Sequence, residues 1–177
     1  MEFSELLLTR QSTRSYDGAR AVEEEKINAI LEAARLSPSA CNGQPYHITV
    51  CKGESAKRVA KAVMGAGRNQ FAKDVPVMLV ISEMPYVKTA DVGSKIMKID
   101  YRSIDIGILS AIITMKAAEL GLGSCMIGWR EDKALREVCG IDAKTHLVIS
   151  IGYPKEGDPI RDKVRKPLTE LVTTVED

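Results

Sequence analysis

The amino-acid sequence predicts an α+β fold in layers, a central mixed sheet flanked by helices. Three observations carry this expectation. Apolar residues at Ile27, Ile30, Leu31 and Ala34 recur at helical spacing. Val75 to Ile81 is a nearly continuous apolar run, the pattern of a central strand. The predicted strands are mostly separated by helices rather than joined as hairpins, which points to a layered sheet. The 177 residues fit one domain, residues 1–177, able to bury a core of its own. Lys plus Arg and Asp plus Glu nearly cancel, at 25 against 24, so no global field favours nucleic acid or an anionic membrane. Any basic site must be local.

Phe3 to Thr9 reads as a short helix, leading into a polar stretch before the Asp17-Gly18 turn. A second helix starts at Glu23 and ends near Ser37, because Pro38 disfavours helical geometry in the residue before it. Tyr46, Ile48 and Val50 alternate with His47, Thr49 and Cys51, as in a strand of about six residues with unlike faces. Ser55 to Val63 has helical composition, Val75 to Ile81 forms the central strand, and Met84 to Lys98 shows no clear period.

Tyr101 to Leu120 is apolar almost all round, which implies burial on more than one side. Asp105, Lys116 and Glu119 within it argue against a membrane span. A second copy of the chain would supply the cover that one protomer cannot, so a homodimer is expected. Gly121 and Gly123 stop this helix, and Ser124 to Ile127 begins a short strand or turn. Lys133 to Cys139 is helical with Gly140 closing it, and His146 to Ile151 is a further strand. The tail carries Leu168, Leu171, Val172 and Val175, an arm with something apolar to pack on.

Four polar segments interrupt this core. Arg10 to Arg14 sets two guanidinium groups four residues apart with Ser12 between them, enough to bind an anion or the carbonyl edge of a planar ring system. Ser37 to Tyr46 presents Ser39, Asn42 and Gln44 from a loop held open by Gly43 and Pro45. Gly121 to Trp129 combines backbone permissiveness with an apolar lining, so a flat ligand can approach main-chain N–H groups. Arg161, Lys163, Arg165 and Lys166 can hold a phosphate. Taken singly, each also fits a plainer role: a solvated helix end, a capped connection, a core strand, a solvated charge run.

Their order along one chain resembles the nitroreductase family of flavoproteins. Arg10-Gln11-Ser12-Thr13-Arg14 is similar to the family's Arg-x-Ser-x-Arg/Lys motif, and Ser37 to Tyr46 to its Pro-Ser-x-x-Asn-x-Gln-Pro loop. Leu120 to Gly128 resembles its Leu-Gly-Leu-Gly-x-x-x-Ile-Gly segment, and Lys163 to Leu168 its basic C-terminal motif. Tyr46 stands where many members have Trp or Phe.

The resemblance implies a mainly antiparallel sheet and a homodimer of domain-swapped style, its C-terminal arm spanning about 160–177, with two FMN molecules at the interface. Arg10, Gln11, Ser12 and Arg14 would then contact the phosphate, ribityl chain and pyrimidine edge, with Lys163 or Arg165 completing the phosphate site. Ser39, Asn42 and Gln44 would reach the flavin of the other subunit, while Met126, Ile127 and Gly128 line the ring. The implied activity is ping-pong electron transfer from NADH or NADPH to a flat acceptor such as a nitroaromatic compound or quinone. A different specialised reaction on the same fold, such as metabolite reduction, dehalogenation or flavin breakdown, or flavin binding with little turnover, is the alternative.

Flavin carries the chemistry, so no catalytic side chain and no metal are required. No G-x-G-x-x-G follows a strand, so the nicotinamide donor is expected to dock directly on the flavin. The four cysteines are scattered, without zinc-site spacing, and Cys41 and Cys125 read as small packing residues. Trp129 is expected to pack either beside the flavin or in the core, with packing the favoured reading, and His47 and His146 read as structural or surface residues. The start of the chain has no basic-then-apolar pattern, so a cytoplasmic location is expected, without nucleic-acid or membrane partners.

Overall fold

Residues 2–176 are described by a computed structural model. Four strands, β1 (Tyr46–Lys52), β2 (Val77–Glu83), β3 (Gly123–Ile127) and β4 (Thr145–Gly152), form one sheet in the order β1-β2-β4-β3. Every neighbouring pair is antiparallel, with Val50 opposite Leu79, Leu79 opposite Ile149 and Met126 opposite Ile149. Among the described residues the parallel contribution is one bridge between Ser12 and Ser124 at the outer edge of β3.

The helices are α1 (Phe3–Thr9), α2 (Glu24–Arg35), α3 (Glu54–Val63), α4 (Lys88–Met97), α5 (Tyr101–Glu119), α6 (Asp132–Cys139) and the single turn α7 (Leu168–Leu171). Side-chain alternation on the central strand divides the core into two layers. Val77, Leu79 and Ile81 face α2 and α5, joined by Ile30, Ile106, Leu109, Ile113, Ile149 and Ile151. Met78 and Val80 face α3 and α6, packing with Val59, Val63, Cys125, Ile127, Leu135 and Val148. β2 is therefore buried on both faces, which explains its unbroken apolar run.

α5 ends as the glycines require. Gly121 takes φ +75°, and the amides of Gly121 and Leu122 bond back to the carbonyls of Ala118 and Ala117. At its start the Asp100 carboxylate accepts from the Ser103 amide at 3.2 Å. Within the chain only one side of α5 is covered: Asp105, Ile106, Leu109, Ile113 and Ala117 are buried, while Ile104 and Ala111 are exposed and Ile108, Ile112 and Met115 half-covered.

α4 occupies the stretch in which no period was legible. Its apolar residues Val92, Ile96 and Met97 are exposed and only Ala90 is buried, so no core-facing stripe exists to be read. In the C-terminal arm Leu168, Leu171, Val172 and Val175 are all exposed in the single chain. Among the described residues no helix is long and apolar enough to cross a membrane.

Candidate functional site

After α1 the chain runs beside the open edge of β3. The Thr13 amide donates to the Ser124 carbonyl at 2.8 Å, and Thr13 is buried against Gly123. A Cβ on Gly123 would lie 2.6 to 2.8 Å from the Thr13 side chain, so only glycine allows this approach. The return of the chain beyond β4 is pinned to the same segment. Gln11 grips it at both ends of its amide: Nε2 donates to the Pro159 carbonyl and Oε1 accepts from the Arg161 amide, each at 3.0 Å. Arg161 donates to the Ser12 carbonyl and Lys163 to the Arg10 carbonyl. Gln11 is thus engaged with the arm backbone.

Arg10, Arg14, Arg161, Lys163 and Arg165 belong to this assembly, and among the described residues none of the five forms an ion pair. Burial pushes the Lys163 ammonium down, and the neighbouring Arg10, Arg165 and Arg161 push it further. The Cys125 thiol lies under the same field. Burial raises it, opposed by Arg14, a hydrogen bond from Ser12, Arg161 and Arg10. Cys125 is a buried packing residue as expected, whereas Cys41 is exposed.

Arg10, Lys163 and Arg165 also line one side of a groove of about 980 Å³ between α1, α5 and β3. Its walls are otherwise largely apolar, with Leu7, Ala111, Met115 and Met126 among them, and the Lys116–Glu119 ion pair closes the end of α5. Met126 projects into this groove, and Gly128 faces open space where a Cβ would stand. Ile127 does not reach it: its side chain is buried in the α3/α6 layer, leaving only its main chain for a ligand. Arg130 fixes the turn, donating to the carbonyls of Gly128 at 2.7 Å and Thr145 at 2.6 Å. Trp129 is half exposed rather than packed in the core, with the Arg68 guanidinium 4.4 Å over its ring.

Ser39, Asn42 and Gln44 share the second segment, between α2 and β1. Ser39 Oγ accepts from the Gln44 amide at 3.0 Å, and Gln44 Nε2 donates to Asn42 Oδ1 at 3.2 Å. Cys41, Asn42 and Gln44 all have positive φ, at 51°, 52° and 46°, a conformation that costs L-residues about 1 kcal/mol each. Asp105 of α5 lies beneath and accepts from the Ala40 amide at 3.0 Å.

This loop and the N-terminal cluster are not brought together in one chain. The loop meets α5 at Asp105, while the groove begins at Ala111 and runs to Glu119. Asp105 and Lys116 are separated by roughly 16 Å along the helix axis. No hydrogen bond joins the two segments among the described residues.

Beside the loop, where Tyr46 pairs with Glu83, lies a charged cluster that the sequence did not announce. Glu83 receives Arg102, Lys144 and His146, each at 3.0 Å. Burial alone would raise its carboxyl, but the hydrogen bonds from His146, Lys144 and Arg102 outweigh that and hold it at about 2.

A profile of the nitroreductase family matches residues 7–67 and 64–153. A relative from Archaeoglobus fulgidus, provisionally named NADH dehydrogenase/NAD(P)H nitroreductase, is 33% identical over 164 residues, covering 88% of this chain and 87% of the relative. Among solved structures, an FMN-dependent nitroreductase from Clostridium difficile superposes with a TM-score of 0.70 at 29% identity, covering 89% and 90% of the two chains. A nitroreductase family protein from Streptococcus pneumoniae shares the fold with a TM-score of 0.82 at 20% identity, over 98% of this chain and 100% of that one. With motif order, sheet topology and sequence identity in agreement over most of its length, this chain belongs to the nitroreductase family.

Proposed function

We propose that this chain is a cytoplasmic FMN-dependent oxidoreductase, active as a homodimer, which passes electrons from NADH or NADPH to a flat acceptor such as a nitroaromatic compound or quinone. The observation that carries the proposal is the group of five cations that form no ion pair among the described residues, beside a largely apolar groove. Like charges so gathered destabilise one another until an anion joins them, and the largely apolar walls suit a ring attached to that anion. Phosphate and isoalloxazine are joined in FMN in this way, so the donor set fits the group.

Arg10, Lys163 and Arg165 would hold the phosphate. Gln11 and Ser12 contribute by keeping the arm and the N-terminal segment in register, since their amide and carbonyl groups carry the bonds to Pro159 and Arg161. Arg14 has an exposed guanidinium and would oppose negative charge on the pyrimidine edge. Met126 and the main chain at Ile127 and Gly128 would border the ring. Bound FMN supplies the hydride-accepting and electron-donating chemistry, and nicotinamide and acceptor use one pocket in turn.

The separation of the Ser39, Asn42 and Gln44 loop from the cations supports a site completed by two subunits. A second copy also provides an occupant for the uncovered apolar residues of α1, α5 and the arm, among them Phe3, Leu7, Leu8, Ile104 and Leu168. Sedimentation equilibrium at micromolar concentration is expected to return a dimer, and a monomer would remove this part of the proposal.

FMN and riboflavin titrations test the phosphate assignment. In a Lys163→Ala/Arg165→Ala variant the FMN Kd should rise roughly tenfold or more, with riboflavin binding unchanged. Equal losses for both ligands would disprove the assignment, and a wild-type protein that cannot be reconstituted with FMN would disprove the function.

A further inference from the structure

We propose that Asp105 is a positioning residue, whose buried carboxylate locks the loop from Ser39 to Gln44 in its ligand-facing conformation through the Ala40 amide. The flavin part of its test rests on the function proposed above; the structural part does not.

Three positive-φ residues within four positions do not persist without support. The loop's own bonds, Asn42 amide to Ser39 carbonyl and Gly43 amide to Ala40 carbonyl, close turns within the segment but do not attach it to the body. On the β1 side, attachment comes from the Met84 amide bonding to the Pro45 carbonyl at 2.9 Å. On the α2 side it comes from Asp105 Oδ1, reaching the Ala40 amide from a helix on the sheet's main packing face.

Asp105 is a poor choice if stability alone is at issue. It is 3% exposed, and its second oxygen, Oδ2, has no hydrogen-bond partner. Ser37 Oγ and the Tyr46 hydroxyl, also buried and unpartnered, occupy the two ends of the same loop. Burial raises the Tyr46 hydroxyl, and the negative charge of Asp105 raises it further, which puts the carboxylate close to the loop's far end as well. A half-satisfied buried carboxylate usually costs more than an apolar side chain of similar size. Its return is therefore in loop geometry: a charged acceptor makes a stronger bond to an amide than a neutral one does.

The test is amide hydrogen exchange on the apo protein, followed by FMN titration. In the wild type the Ala40 amide should be protected. Asp105→Ala should release residues 39–44 while protection in the sheet and the melting temperature stay near wild type, and Asp105→Asn, which retains an acceptor, should restore protection. The FMN Kd of Asp105→Ala should rise roughly tenfold, the value of one charge-assisted hydrogen bond. Combined with Asn42→Ala the losses should fall short of additive, because both act through one loop. A freely exchanging Ala40 amide in the wild type overturns the proposal, a result that needs no variant to fold. So does a uniform loss of protection across the whole protein in Asp105→Ala, which is the mark of a purely structural residue. If the wild type binds no FMN, the functional reading fails while the exchange result still decides the role of Asp105.

Discussion

Neutralising Glu83 should remove a measurable share of the acid sensitivity of this fold between pH 5 and 2. The carboxyl is held at about 2, against 4.5 for an unperturbed glutamate. Its folded-state value is the lower one, so the stabilisation is complete above pH 4.5 and is lost as pH falls from there towards 2. The difference corresponds to about 3 kcal/mol at neutral pH. His146, Lys144 and Arg102 all contribute, and the share of Lys144, whose side chain is 66% exposed, is the one most screened by solvent. Urea denaturation of the wild type and Glu83→Gln at pH 7, 4.5, 3 and 2.5 measures this directly. The variant should be less stable by about 2 to 3 kcal/mol at pH 7, and the two should converge towards pH 2. Parallel pH profiles would show that Glu83 is not the group being titrated, and the reasoning would fail.

Gly123→Ala forces a Cβ into Thr13 and should cost about 2 kcal/mol in urea denaturation; Thr13→Gly in the same background should recover part of it. Gln11→Ala removes both bonds to the arm and should speed proteolysis after residue 155 while changing global stability by about 1 kcal/mol or less. Tyr153→Phe removes a hydroxyl that accepts from Lys26 at 2.7 Å and donates to Glu23, and should cost about 1 to 2 kcal/mol by thermal melting. Arg14→Ala should retain FMN but lose steady-state turnover, and an unchanged rate of flavin reduction would remove its electrostatic role.

What the sequence disclosed about the fold was whatever repeats locally. The spacing of Ile27, Ile30, Leu31 and Ala34 reports a helix face because each of those side chains meets the same layer. The same logic hid α4, whose apolar residues face outwards. Long-range partnerships left no local trace. Nothing around Gln11 indicates that its amide is bound by Pro159 and Arg161, and Asp105 stood out only as a charge inside an apolar helix. Cys41 reads as packing but stands exposed on a loop whose shape residue type does not reveal, and the Arg68 partner of the half-exposed Trp129 comes from another loop.

The strand order β1-β2-β4-β3 carries a consequence for biosynthesis. β4 is the last strand in the chain yet lies between β2 and β3, so one edge of β2 has no neighbour until Thr145 to Gly152 has left the ribosome. During that interval Val77 to Ile81, the most apolar strand, offers open main-chain groups along one side. Chains truncated before Gly152 should therefore accumulate as aggregates, and synthesis slowed between β3 and β4 should raise chaperone demand more than a pause anywhere before β2.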